Sequence, residues 1–152
     1  YGPGDNYHPE NSHVMASLIA KFSKAKIESS PFVECWGTGT PLREFLHVDD
    51  LGDAVVFCLE NWHPKNENSP KDINGKAINH LNVGTGKDIS IRQLAEKISE
   101  IIEFKGDIVW NHSKPDGTPK KQLDISKIKQ LGWYPKIGLD DGIRHTISLY
   151  KK

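Results

Sequence analysis

Apolar residues recur at Val14, Met15, Leu18, Ile19 and Phe22 with the spacing of one helical face, which predicts a first helix with Asn11 or Ser12 available to cap its amino end. The break at Ser29, Ser30 and Pro31 ends that pattern. A β-rich run from Phe32 to Trp36 and a second from Glu44 to Val48 flank Gly37-Thr-Gly-Thr-Pro41, which reads as a turn. Asp49 and Asp50 then favour a helix start through the helix dipole, and that helix carries Leu51, Ala54, Val55, Cys58 and Leu59 on one side before running out near Asn61.

Further along, His63 to Lys76 is rich in Pro, Asn and charge and reads as a solvated loop. Ile78 to Val83 reads as a strand, and Gly86 ends the turn after it. Ser90-Ile-Arg-Gln93 is a capping box opening a helix whose core face is Ile91, Leu94, Ala95, Ile98 and Ile101. A short strand is predicted from Ile108 to Trp110, then a small helix capped by Asp124 and stopped at Gly132. The last helix starts near Asp140 and carries Ile143, Ile147 and Leu149. Short strands alternating with helices give an α/β architecture, with no internal repeat.

With 152 residues, 36% of them hydrophobic and 26% charged, the chain is one domain's worth of sequence. Formal net charge is zero, so nothing attracts it broadly to nucleic acid or an anionic membrane. Phosphate recognition, if present, must come from a few placed cations. No apolar run approaches the length that spans a bilayer and the start lacks a signal-peptide pattern, so the cytoplasm is the expected location. Cys35 and Cys58 make no metal-ligand spacing and read as reduced, buried thiols.

Two motifs fail on inspection. Gly84-Thr-Gly-Lys87 resembles the end of a phosphate-cradling loop, but Leu81 stands where that loop needs Gly and Asp88 where it needs Ser or Thr. His47-Val-Asp-Asp50 has ligand-type residues, yet capping and the helix dipole explain them more simply, and no metal is expected. Taken singly, His13 at a helix start is most often a cap neighbour or a solvated side chain. Arg43 is as easily a surface residue as a ligand, although its guanidinium fork suits a diphosphate.

The stretch Tyr1-Gly-Pro-Gly-Asp-Asn-Tyr-His-Pro-Glu-Asn-Ser-His13 is similar to a loop of the GDP-L-fucose synthase family, within the extended short-chain dehydrogenases. The resemblance continues through Trp36-Gly-Thr-Gly-Thr-Pro-Leu-Arg43-Glu-Phe-Leu-His47-Val-Asp-Asp50, Asn82-Val-Gly-Thr-Gly86, Ser113-Lys-Pro-Asp116-Gly-Thr-Pro-Lys-Lys121 and Leu131-Gly-Trp133. The Arg-Glu-Phe-Leu-His-Val-Asp-Asp and Asn-Val-Gly segments recur across nucleotide-sugar epimerases and dehydratases. Asn11-Ser12-His13 and the Lys-Pro-Asp-Gly-Thr-Pro run are narrower and point to the fucose branch.

The resemblance implies that residues 1–152 form the C-terminal substrate-binding domain of such an enzyme, with the N-terminal Rossmann half absent. Roughly 46–59 and 78–83 would return to the Rossmann sheet in the full-length protein. It implies a parent that converts GDP-4-dehydro-6-deoxy-D-mannose to GDP-L-fucose by epimerisation at carbons three and five and reduction by NADPH. His13 would be the catalytic acid/base residue, also touching cofactor. Lys21, Trp36, Arg43 and Asp116 would bind substrate, and the parent would be a homodimer. Lys121 has a weaker claim, since Lys120 beside it is as good a candidate. The chain holds no Gly-x-x-Gly-x-x-Gly fingerprint and no Tyr-x-x-x-Lys pair, so this stretch alone is not expected to carry out the reduction. Another nucleotide-sugar epimerase or dehydratase, or a non-catalytic nucleotide-sugar binding module, is the alternative. Asn111 and His112 depart from the Asp that relatives often carry before Ser113-Lys-Pro, which leaves the sugar's pose open.

Overall fold

The apolar face that begins at Val14 becomes helix α1 (Val14–Ile27), which buries Met15, Ala16, Leu18, Ile19, Phe22 and Ala25. A computed structural model of the chain describes residues 1–150. After α1 come β1 (Phe32–Trp36), β2 (Leu42–Glu44), α2 (Val48–Asn61), β3 (Asp88–Ser90), α3 (Ile91–Ile102), β4 (Asp107–Asn111), β5 (Lys120–Lys121), α4 (Ser126–Leu131) and α5 (Leu139–Ser148). The architecture is α/β, as the pattern predicts.

Strands β1 and β4 pair in parallel, from Phe32 opposite Asp107 to Trp36 opposite Asn111. In the second sheet β2 is central, antiparallel to β3 and parallel to β5. The main core lies where α1 and α3 meet over β1: Leu18, Ile19, Phe22, Val33, Cys35, Leu94, Ile98 and Ile143 are buried together. Phe22 and Phe104 meet edge to face at 5.6 Å, a favoured aromatic geometry. Each such side chain contributes about 1.5–3 kcal/mol of transfer free energy when fully buried. The capping box forms as read: Gln93 N–H donates to Ser90 Oγ at 3.1 Å and Ser90 N–H donates to Gln93 Oε1 at 2.9 Å. Glu103 in the left-handed region then ends α3.

Several expectations are corrected. His13, not Asn11 or Ser12, occupies the amino-terminal cap of α1, and its side chain makes no capping bond. The strand read at 44–48 starts two residues earlier and closes four residues earlier, as Leu42–Glu44, because the chain must turn to place His47 as the cap of α2. Residues 78–83 form no strand among the described residues; an extended apolar run needs a neighbouring strand to bond to, and none lies beside it. Strands β3 and β5 were not anticipated, since two or three residues carry no readable alternation. Ile125, not Asp124, occupies the cap of α4, and Asp124 sits one residue before it, its Oδ1 accepting from Ser126 N–H at 2.9 Å.

Helix α2 forms where the sequence places it, from Val48 to Asn61, but leaves its apolar face largely uncovered. Of the face read as apolar, only Ala54 is buried, while Leu51, Val55 and Leu59 are exposed, Leu59 by 80%. The helix is held instead by carboxylates on its other side. Asp50 accepts from Lys136 N–H and Ile137 N–H, both at 3.0 Å, and Asp53 accepts from Trp133 Nε1 and Lys136 Nζ, both at 2.8 Å. The Lys136 and Trp133 bonds hold the Asp53 carboxyl below its usual range. A small second cluster of Ala54, Ile125, Ile128 and Trp133 completes this side. Both thiols are free, Cys35 buried and Cys58 half-buried, and burial pushes each up. Among the described residues no helix is long and apolar enough to cross a membrane.

Candidate functional site

Because β1 and β4 run parallel, the loops leaving their carboxyl ends emerge side by side, the position where open α/β sheets gather ligands. Asp116, in the loop after β4, clasps the turn after β1. Its Oδ1 accepts from Thr38 N–H at 2.9 Å and its Oδ2 from Thr38 Oγ1 at 2.7 Å. The side-chain and then the backbone bond to Thr38 draw its carboxyl below the ordinary range. Gly39 lets that turn lie flat on Trp110: at φ +76° a Cβ there would stand 2.6 Å from the indole ring.

Trp36, Arg43 and Asp116 line one cleft of about 180 Å³ with Val14, Pro115 and Gly117. Arg43 is half-buried on the central strand β2. Its Nη1 donates to the Leu42 carbonyl at 2.7 Å, and Gly117 passes so close that a Cβ would stand 2.8 Å from Nη2. The guanidinium is thus oriented before any ligand arrives, which lowers the entropy cost of using it. Lys21 and Trp36 line an adjoining space of about 260 Å³ with Val14 and Trp110. Lys21 Nζ lies 5.3 Å from the Trp36 ring centroid and donates to the Glu34 carbonyl at 3.0 Å.

His13 is set apart from these four. It is exposed and lines a third cleft of about 330 Å³ with Tyr1 to Asp5, Phe45 and Val48. Val14 borders all three clefts, so the sequence neighbours His13 and Val14 join the histidine's cleft to the cationic one.

Lys121 pairs in register beside Arg43, whereas Lys120 Nζ sits 3.2 Å from Asp88 Oδ2. That ion pair occupies Lys120 and leaves Lys121 the better candidate of the two. Residues to which sequence reasoning gave no role also border the site. Arg92 lies 4.6 Å over Trp110 and donates through Nη2 to the Thr38 carbonyl at 2.8 Å. Lys114 lies 5.2 Å over Trp36. Lys114 stood inside a quoted motif, but nothing in its spacing marked which way the loop would turn.

Both rejected motifs have structural employment. The backbone N–H groups of Thr85 and Gly86 form a small nest filled by Glu44 Oε1, at 2.5 and 2.6 Å, and Glu44 Oε2 accepts from Leu123 N–H at 2.7 Å. The protein's own carboxylate thus takes the place a phosphate would need. His47 Nδ1 accepts from Asp49 N–H at 3.2 Å as the α2 cap, and its ring is stacked on His145 at 5.6 Å. One ligand-type atom from each of His47, Asp49 and His145 lies within 4.8 Å of the others. Burial lowers the pKa of His47, favouring the neutral ring that a capping acceptor requires.

The profile of the NAD dependent epimerase/dehydratase family matches residues 1–84. Curated relatives include GDP-L-fucose synthase 1 of Arabidopsis thaliana, 47% identical over 100% of this chain and 43% of its own length. GDP-L-fucose synthase of Escherichia coli K12 is 45% identical over 99% of this chain and 46% of its own. The chain therefore spans less than half the length of these curated relatives. Among solved structures, a GDP-L-fucose synthetase from Naegleria fowleri superposes with a TM-score of 0.81 at 27% identity, covering 98% of this chain and 42% of that one. A GDP-6-OMe-4-keto-L-xylo-heptose reductase from C. jejuni gives 0.85 at 34%, covering 97% and 50%.

Proposed function

The chain belongs to the NAD-dependent epimerase/dehydratase family, and from that premise we propose that it is the C-terminal, substrate-gripping part of a GDP-L-fucose synthase. The observation that carries the reading is the convergence of Trp36, Arg43 and Asp116 on one cleft at the ends of parallel strands, with Lys21 beside it. A flat exposed indole beside an oriented guanidinium and an ammonium suits a sugar nucleotide, whose diphosphate takes charge-assisted bonds. In this reading Arg43 and Lys21 hold the diphosphate. Asp116 shapes the rim through its bonds to Thr38, beyond any substrate contact of its own.

His13 is the acid/base residue. The 4-keto group of the substrate acidifies the C–H bonds at carbons three and five. A base takes a proton from one face, and the His13 imidazolium returns one to the other with inversion. What supports the assignment is that His13 lines a cleft, makes no capping bond, and joins the cationic cleft through Val14. NADPH supplies the hydride that reduces the 4-keto group. Of this chain's residues, His13 and the glycine-rich wall from Gly2 to Gly4, which line one cleft, would border that cofactor.

The apolar face of α2 fits the same reading. The curated relatives are more than twice this chain's length, and a preceding Rossmann half is the occupant that would cover Leu51, Val55 and Leu59. Residues 46–59 and 78–83 would then return to its sheet, the latter gaining the neighbouring strand it lacks here. A cytoplasmic homodimer is the form proposed for the whole enzyme.

The test is to give the full-length protein NADPH with GDP-4-dehydro-6-deoxy-D-mannose and, separately, with UDP-4-keto sugars and GDP-heptose ketones. GDP-L-fucose as the preferred product supports the reading. Preferred reduction of a GDP-heptose would move the assignment to the heptose reductases, which the C. jejuni likeness keeps in view at lower identity. Turnover confined to UDP sugars would overturn it.

A further inference from the structure

Trp36 stands at the end of β1 with 59% of its surface exposed, and two ammonium groups lie over it, Lys21 at 5.3 Å and Lys114 at 5.2 Å. Lys21 is tied to the Glu34 carbonyl at 3.0 Å. Lys114 Nζ has no carboxylate or carbonyl partner among the described residues. Its backbone, in contrast, is fixed on both sides. Asn111, paired in register with Trp36, accepts through Oδ1 from Ser113 N–H at 3.0 Å and Ser113 Oγ at 2.6 Å, and its carbonyl accepts from Lys114 N–H at 3.1 Å. Two residues further on, Asp116 is clamped to Thr38.

A lysine with a long flexible stem on a mobile loop would be an ordinary solvated charge. Here the turn holds its Cα, the indole holds its ammonium by a cation–π contact, and its donors remain unspent. Both ammonium groups sit beside one ring, and an anion bound against that ring is drawn to both. Arg43 shares with Trp36 the cleft bounded by Pro115, Asp116 and Gly117, the residues that directly follow Lys114. We propose that Lys114 is a further substrate-binding residue, its ammonium donating to a phosphate oxygen and completing with Lys21 and Arg43 a three-cation cradle for the diphosphate of a sugar nucleotide. This rests on the reading of the cleft as a GDP-sugar site and adds to it a residue with no assigned role.

The experiment uses the full-length enzyme and the variants Lys114→Met, which keeps the apolar stem on Trp36, and Lys114→Arg, which keeps a cation. Affinity for GDP is measured by calorimetry and for guanosine by ligand-observed NMR, with KM and kcat for the GDP-sugar alongside. A charge-assisted bond to phosphate predicts that Lys114→Met weakens GDP roughly tenfold and raises KM similarly. Guanosine binding and kcat should stay within about twofold, and Lys114→Arg should recover most of the loss. Wild-type GDP affinity in Lys114→Met, or an equal loss for guanosine and GDP, would overturn the proposal and make Lys114 a packing residue of Trp36. A wild-type enzyme that binds no GDP would defeat the reading of the cleft itself, and the role of Lys114 with it.

Discussion

Helices α1 and α2 have the same length, 14 residues, and both carry a readable apolar face, yet one is finished and the other is not. Six side chains of α1 are buried against α3 and β1, whereas α2 buries only Asp50 and Ala54 and exposes Val48, Leu51, Val55, Val56 and Leu59. The first helix is stabilised by apolar burial inside this chain. The second is attached by carboxylates that satisfy Lys136, Ile137 and Trp133. The two adjoining clefts of Arg43 and Lys21, which share Trp36, border the finished side, so their geometry is set by contacts the chain itself supplies. An apolar stripe therefore reports that a face is to be covered, and says nothing about whether the cover lies in the same 152 residues.

The largest effect should come from breaking the finished side. Phe22 of α1 is fully buried and packs edge to face on Phe104, and Phe22→Ala should cost about 3–5 kcal/mol in equilibrium unfolding. A loss below about 1 kcal/mol would mean that this core is not closed.

Leu59→Ser sharpens the contrast, because it should behave differently in two proteins. In residues 1–152 alone the change should stay within about 0.5 kcal/mol, since Leu59 is exposed there. In the full-length protein, where a preceding Rossmann half is proposed to cover the face, it should cost about 2–3 kcal/mol. Equal effects in the two, measured by the same denaturant titration, would remove the proposed cover for α2.

Arg43→Ala in the full-length enzyme should remove about 1.5–3 kcal/mol of binding and raise KM for the GDP-sugar tenfold or more, leaving fold stability nearly unchanged. An unchanged KM would make Arg43 a structural residue of β2.

Local signals explain what could be read in advance. The capping box at Ser90 to Gln93 and the faces of α1 and α3 depend on residues three or four apart, and they appear as predicted. Strand β3 and the shift of β2 depend on pairing between segments more than forty residues apart, such as Arg43 with Ile89, which no local pattern encodes. At the site, Trp36, Arg43 and Asp116 were named from motif likeness and are brought together. Lys114 was missed because its role follows from the register of β1 with β4, which places Asn111 beside Trp36. The face of α2 was legible as a period in the same way, but this chain leaves Leu51, Val55 and Leu59 on it exposed.

In the proposed enzyme an acid, His13, is brought to a GDP-sugar held by Arg43 and its neighbours, and epimerisation isolates that acid from the hydride step. The decisive measurement places full-length His13→Asn with GDP-4-dehydro-6-deoxy-D-mannose in deuterated buffer without NADPH, and follows label and configuration at carbons three and five by NMR. Losing the imidazole should slow inversion roughly 10²–10⁴-fold while substrate affinity holds. Double inversion at the wild-type rate would contradict the account, leaving His13 as no more than the first residue before α1.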